Sequence, residues 1–287
     1  MPKPARDIDG GDDFADLYER NKLHRVERNG SPEAYVVESD AFEPPALPGE
    51  VAAARDLDAI IDALAADLLV QATNCVRTFG DFHLALSGDA VLEPVYERLM
   101  YDPNVRSLPW QRTHLWMVAE RCVAFDDVRS RFRMVRETIV DHSDIPPEQV
   151  HPIFPLGETP AASYEAHLRE VLAWREKGQD RLDFALLALR PDAAVAEWAP
   201  GSRLLHDPAL VAREARGAEG DGPVVTMTPT ILNAARFVAV HVDAIACGAA
   251  LRRLMDGHDP AEALPAKALH PAGGVLKWYV GAWNEPG

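Results

Sequence analysis

Phe82-His83-Leu84-Ala85-Leu86-Ser87-Gly88-Asp89 is the stretch that decides the fold. An apolar run stops at a Ser-Gly turn, and Pro94, Val95, Tyr96, Leu99 and Met100 follow at spacings that suit a helix. Short, uninterrupted apolar runs bounded by turn residues read as strands, so the local pattern is strand, glycine turn, helix. Upstream, Leu57, Ile60, Ile61, Leu64 and Leu68 recur at helical spacing and predict an amphipathic helix to about Arg77. Downstream the alternation returns: a strand over 113–118, helices over 130–140 and 164–177, and a fully buried strand over 182–189. Residues 224–227 and 237–242 read as strands, with helices from Asn233 and Ala244 and a final helix near 274–279. Buried strands separated by helices predict an α/β fold with a mostly parallel sheet covered on both faces. In such folds ligands bind beyond the carboxyl ends of the strands, so the residues after each strand are the candidates for function.

The first 48 residues differ from the rest. They pass through Gly10-Gly11-Asp12-Asp13 to Phe42-Glu43-Pro44-Pro45-Ala46-Leu47-Pro48, an arm ending in a Pro-rich linker, while Phe14, Leu17, Tyr18, Tyr35, Val36 and Val37 could pack on the body or on a second subunit. One domain over 49–287 is expected to follow. Lys+Arg of 29 against Asp+Glu of 45 gives a formal charge of −16, which disfavours nucleic acid. No run approaches the ~18–20 consecutive apolar residues of a membrane span, and no signal segment opens the chain. Cys75, Cys122 and Cys247 show no CxxC or Cys/His spacing and read as buried thiols in a reducing compartment, so a cytoplasmic protein without metal or cofactor is expected.

Three loops follow core strands. The first is Ser87-Gly88-Asp89-Ala90-Val91, and the second is Ala119-Glu120-Arg121, continuing to Arg131-Phe132-Arg133-Met134. The third is Arg190-Pro191-Asp192-Ala193-Ala194-Val195-Ala196-Glu197-Trp198-Ala199-Pro200. In this order and at these separations they resemble the 6-phosphogluconolactonases and, more distantly, the glucosamine-6-phosphate isomerases of the same superfamily, over roughly Val51 to Tyr279. The resemblance implies a Rossmann-like sheet domain and, for active members, metal-independent hydrolysis of 6-phospho-D-glucono-1,5-lactone in the pentose phosphate pathway.

The departures from that pattern fall on the ligand-facing positions. The family's first loop is typically Ser-Gly-Gly-Ser-Thr-Pro, whose glycines and hydroxyls hold the sugar phosphate. Here Ser87 and Gly88 remain, but Asp89, Ala90 and Val91 follow and bring a carboxylate to an anion site. Asp89 is expected to cap the following helix and occupy that site, the alternative being an ordinary N-cap in an unrelated turn. The family's third loop carries a histidine expected to be the general base. The matching position is Ala194, with Asp192 retained and Glu197 in place of a serine. Glu120 and Arg121 remain in the second loop, Ala119 replaces an aspartate, and Arg131 replaces an asparagine. The resemblance thus nominates Ser87, Gly88, Asp89, Glu120 and Arg131 for binding a sugar phosphate or sugar-like molecule. Asp192, Glu197 and Arg121 are left for catalysis.

Among other bases, His83, His114 and His241 lie within strands and read as satisfied sheet residues, while His151 matches a framework position of the family and His142 a helix end. Glu197, beside the apolar Trp198 and Val195, is the best alternative base, though it reads more simply as a residue solvating a helix start. Arg121 and Asp192 could form a charge pair. The Gly217–Gly222 stretch reads as a flexible acidic turn, since no strand-to-helix junction of nucleotide-loop spacing surrounds it. Three functions follow. The first is a binding or regulatory homologue that has lost efficient catalysis, with a possible protein partner and a pocket filled by Trp198, Arg131 and Arg190. The second is an active lactonase with a rebuilt site, and the third is an enzyme on a less anionic sugar-type substrate.

Overall fold

The computed structural model describes residues 23–26, 34–37, 43–176, 178–220 and 222–284. Helix α1 (Leu57–Phe79) begins where the Asp56 carboxylate accepts from the Asp58 N–H and ends at Gly80, whose φ of 91° only glycine adopts without strain. Its Ile60, Ile61, Leu64 and Leu68 are buried in the core. By length and composition α1 could cross a membrane, but most of its apolar window is packed inside the protein. The following helices are α2 (Glu93–Tyr101), α3 (Arg131–Thr138), α4 (Pro160–Leu172), the single turn α5 (Pro229–Leu232) and α6 (Ala244–Asp256).

Among the described residues the main sheet has nine strands. In chain order they are β1 (Leu23–Val26), β2 (Ala34–Val37), β3 (Glu50–Ala53), β4 (Phe82–Leu86), β5 (Thr113–Met117), β7 (Val150–His151), β8 (Phe184–Ala188), β11 (Phe237–Asp243) and β12 (Val275–Gly281). Across the sheet they lie as β1-β2-β3-β12-β11-β8-β4-β5-β7, with every pairing parallel except β1 with β2. Strands β4 and β8 are buried along their whole length, which explains their unbroken apolar sequence. From β4 the chain moves outward to β5 and β7; from β8 it moves the other way, to β11 and β12. The order therefore reverses between β4 and β8, and a crevice opens beyond their carboxyl ends. A small antiparallel sheet of β6 (Ala119–Arg121), β10 (Val224–Met227) and β9 (Val211–Glu214), in the order β6-β10-β9, follows β5 and is joined to its end by the Met227 N–H donating to the Val118 carbonyl at 2.8 Å.

Several sequence expectations change. The helix expected near 274–279 is instead strand β12 (Val275–Gly281), whose Lys277 ammonium is buried 2.6 Å from Asp67 of α1, where the Tyr279 hydroxyl also donates at 2.5 Å. The expected helix from Asn233 lies one turn earlier, as α5, with Asn233 closing it. Helix α4 starts at Pro160, because proline is favoured in a first turn, and stops at Leu172. Residues 224–227 form a strand of the small sheet rather than the parallel one, and β3, β6 and β9 were not anticipated. The Pro-rich linker is packed on the body: Pro44, Pro45 and Leu47 are buried, and the Trp278 and Trp283 indoles donate to the Pro48 and Glu43 carbonyls. Phe14, Leu17 and Tyr18 of the arm lie outside the described residues. Strand β2 extends the sheet beside β3.

The histidines are only partly as expected. His83 Nδ1 accepts from the Trp116 indole at 3.0 Å, His114 Nδ1 meets His151 Nε2 at 3.0 Å, and His151 Nδ1 meets His167 Nε2 at 2.8 Å. His241, by contrast, is buried with neither ring nitrogen hydrogen-bonded among the described residues. Burial, reinforced by neighbouring imidazoles, pushes His114 down to about 4 and His151 down to about 3, and burial pushes His241 down to about 4. An unfolded histidine titrates near ~6.5, so below that pH the unfolded chain binds protons that the native chain refuses. This contribution is complete above pH ~6.5 and is lost progressively as pH falls through 4. Thermal unfolding between pH 7 and 4.5 should show a falling Tm, and the His241→Phe variant should show a shallower fall than the wild type.

Candidate active site

The Ser-Gly turn after β4 is shaped by what packs on it. A Cβ on Gly88 would lie 2.5 Å from the Arg131 Cβ and 2.6 Å from its carbonyl oxygen, so only glycine lets the start of α3 approach β4 this closely. Ser87 is buried, its hydroxyl donates to Asp89 Oδ2 at 2.8 Å, and its carbonyl accepts from the Tyr96 hydroxyl. Asp89 precedes a short 3-10 turn (Ala90–Leu92), and its side chain makes no capping bond to it. The expected cap is therefore absent. The carboxylate turns toward the crevice instead, 3.4 Å from Arg131 Nη1 and 3.7 Å from Arg190 Nη1.

Arg131 is the centre of the site. Its guanidinium is nearly buried; it donates to Glu197 Oε1 from Nε at 3.1 Å and Nη2 at 2.5 Å, to Glu219 Oε1 at 2.8 Å, and to the Gly88 carbonyl at 3.2 Å. Arg190 donates to the same Glu219 Oε1 at 2.5 Å, and Arg121 pairs with Glu219 Oε2. Three arginines, from the end of β6, the start of α3 and the loop after β8, thus converge on one carboxylate. Burial disfavours the Arg131 charge, but the Asp89 and Glu197 carboxylates outweigh it and raise the guanidinium's affinity for its proton, so it stays charged.

Glu120 was expected to bind ligand, but all its acceptor directions serve the framework. Its Oε1 accepts from the Arg121 and Arg131 N–H groups, and its Oε2 from the Phe132 N–H and the Ser130 hydroxyl, at 2.7 to 3.0 Å. A carboxylate at the start of α3 is electrostatically favourable there, while its burial pushes it upward. Glu197 neither starts a helix nor sits among apolar groups: Oε1 meets Arg131 and Oε2 accepts from the Ala218 N–H at 3.1 Å. Both oxygens are engaged, which removes it as a free base. The expected Arg121–Asp192 pair is replaced by Arg121–Glu219, while Asp192 accepts from the Ala194 N–H at 3.1 Å and lies 3.9 Å from Arg190 Nε. Ala194 is fully buried and presents only a methyl.

Of the side chains expected to fill the pocket, Arg131 and Arg190 do so. Trp198 lies beneath them, its indole donating to the Met227 carbonyl at 2.9 Å. Glu219 was missed altogether. It sits in a glycine-rich turn flanked by no periodic pattern, and nothing in the local sequence indicates that it reaches arginines distant along the chain. Asp89, Glu197 and Glu219 bring oxygens within 4.8 Å of one another, a spacing open to a cation, but the Arg131 guanidinium already supplies positive charge among them. Asp81, His83 and His114 form a second such group. There His83 accepts from Trp116 through Nδ1, so its neutral ring carries the proton on Nε2, the nitrogen facing Asp81, and offers no lone pair.

Comparison with known proteins supplies the context. The family described as glucosamine-6-phosphate isomerases/6-phosphogluconolactonase matches residues 55–278. A 6-phosphogluconolactonase of Nostoc sp. is 30% identical over 243 residues, covering 82% of this chain and 94% of the relative. The human GDH/6PGL endoplasmic bifunctional protein is 29% identical over 243 residues, 77% of this chain and 28% of that protein. The structure of 6-phosphogluconolactonase from Thermotoga maritima has a TM-score of 0.68 at 23% identity, covering 80% of this chain and 98% of the other. A monomeric glucosamine-6-phosphate deaminase gives 0.66 at 15% identity, covering 80% and 96%. These two structures share the fold.

Removing one partner of a buried ion pair leaves the other uncompensated, at a cost of about 3–5 kcal/mol. Arg131→Met should therefore lower stability by roughly that amount in urea unfolding. Adding Glu197→Gln to it should restore part of the loss, giving a coupling free energy of about 1 kcal/mol or more.

Proposed function

The chain belongs to the glucosamine-6-phosphate isomerase/6-phosphogluconolactonase family, and on that premise we propose that it is a lactonase-like protein without efficient lactone hydrolysis, acting as a binding or regulatory homologue. The observation that carries this reading is the occupation of the crevice beyond β4 and β8 by the protein's own ion cluster. Arg131, which stands where family members commonly have asparagine, fills it together with Asp89, Glu197 and Glu219. A sugar phosphate entering beside Ser87 would meet the Asp89 carboxylate. A like charge at ~4 Å costs about 4 kcal/mol at an effective dielectric near 20. It would also have to separate Arg131 from buried partners.

The chemistry points the same way. Hydrolysis of a lactone needs a group that takes a proton from water, and a positioned base contributes about 10²–10⁴ in rate. The position that carries histidine in the family holds the Ala194 methyl, and the carboxylate of Glu197 is tied to Arg131 and the Ala218 N–H. The role left for this scaffold is recognition, in the cytoplasm, of a sugar-like small molecule or a protein partner.

Release of 6-phosphogluconate from 6-phosphoglucono-1,5-lactone, followed against the spontaneous reaction, tests the reading. The expected result is no acceleration at micromolar protein. Turnover that disappears in Glu197→Gln would establish instead a working lactonase with a rebuilt site.

A further inference from the structure

The edge strand β7 and the start of α4 border a cavity of about 610 Å³, within the ~300–1,000 Å³ range of small-molecule sites. It shares no lining residue with the arginine cluster of the crevice. Val140, Ile145, Pro147, Pro152 and Pro160 supply apolar walls, and the Phe154 ring that completes them is left 68% exposed. The Tyr164 hydroxyl is engaged by the Met117 backbone and the His151 carbonyl at 2.9 to 3.1 Å, so this residue offers the cavity only its ring. Ser163 shares its hydroxyl with that of Thr159 at 3.3 Å. No aspartate, glutamate, lysine or arginine lines the space. A charge brought into it would lose hydration without gaining a partner, so the walls select an uncharged molecule.

The polar end of the cavity is set by a chain of three imidazoles, His114 to His151 at 3.0 Å and His151 to His167 at 2.8 Å. Both nitrogens of His151 are used within the chain, and His167 Nδ1 has no partner among the described residues. A neutral imidazole carries one N–H and one lone pair, so the hydrogens of such a chain all run one way. A ring nitrogen of His114 lies within 4.8 Å of an Asp81 carboxylate oxygen, and that charge draws the N–H groups toward its own end. His167 Nε2 then donates to His151, His151 Nε2 donates to His114, and His167 Nδ1 keeps its lone pair. An apolar cavity with one unsatisfied acceptor calls for an apolar body carrying one donor. Flat proline and aromatic faces suit a ring system better than a flexible chain. We propose that the cavity beside β7 binds an uncharged two-ring phenol, whose hydroxyl donates to His167 Nδ1 while its rings lie against Phe154, Ile145 and the prolines.

Equilibrium dialysis at pH 8, where an ordinary imidazole and a phenol are both neutral, tests the site with 2-naphthol, 2-methoxynaphthalene and 2-naphthoate. One 2-naphthol should bind per chain, about fivefold or more tightly than the ether, because only the phenol satisfies the imidazole acceptor. The ether is the more apolar of the two, so area burial alone predicts the opposite order. The carboxylate should bind most weakly. His167→Leu should abolish the preference for 2-naphthol over the ether, and Phe154→Ser should weaken the binding of both. Both substitutions fall at exposed positions, and the comparison of the three compounds on the wild-type chain decides the matter without them. Absence of saturable 2-naphthol binding, equal affinity for phenol and ether, tightest binding of the carboxylate, or a preference for the phenol that survives in His167→Leu would overturn the inference. Lactone turnover concerns the crevice alone, so its detection would overturn the proposed function and leave this site standing.

Discussion

A guanidinium withdrawn from water must be met by acceptors on nearly every side, and Arg131 imposes that requirement at the point where the sheet reverses direction. Its partners come from elements far apart in sequence: the turn after β4, the loop after β8, and the turn before β10. What ties them together is the cost of leaving the charge uncompensated. The same demand explains why Glu197 reaches inward, and it adds to the crowding at Gly217, where a Cβ would lie 2.7 Å from Val224 Cγ1 and 2.9 Å from Glu197 Oε2.

Around this centre the framework of the family is kept. Gly88 persists because α3 packs its first residue directly against it. Glu120 persists because four donors at the start of α3 converge on it. The loop after β8 holds Ala193, Ala196 and Glu197 at φ of 63°, 51° and 62°, conformations that cost residues with a Cβ on the order of 1 kcal/mol each. The strained path is held by the Thr226 hydroxyl donating to the Ala196 carbonyl at 2.6 Å and by the buried Trp198. The loop has thus kept its shape while changing its chemistry. Left-handed backbone is taken there by alanines and a glutamate, and the Ala194 methyl is fully buried beside them.

Two features outside the site illustrate how polar groups inside a core mislead a reading by pattern. Lys277 is a charged residue within the apolar run of β12, and its ammonium is met inside the core by Asp67 of α1. His241 looks like a residue whose nitrogens would find partners, yet both are left without one among the described residues. The strand is hydrogen-bonded on both sides through its backbone, and that bonding holds the ring in place regardless.

Local pattern and turn chemistry were enough to read the α/β class, the strands β4, β5, β8 and β11, and the helices α1 and α2, while the match of Ala194 to the family's histidine position is what the resemblance implies. Those features depend on side chains within a few residues of one another, whose periodicity is set by the backbone. Sequence also located Ser87, Gly88, Asp89, Glu120, Arg121, Arg131, Asp192 and Glu197 around one crevice. It did not assign their partners. That Glu120 caps α3, that Glu197 serves Arg131, and that Glu219 completes the cluster were decided only by the tertiary structure. Ion pairing depends on distance through space, and folding brings Gly88, Arg131, Glu197 and Glu219 together from positions up to 131 residues apart, a separation over which the sequence carries no periodic signal.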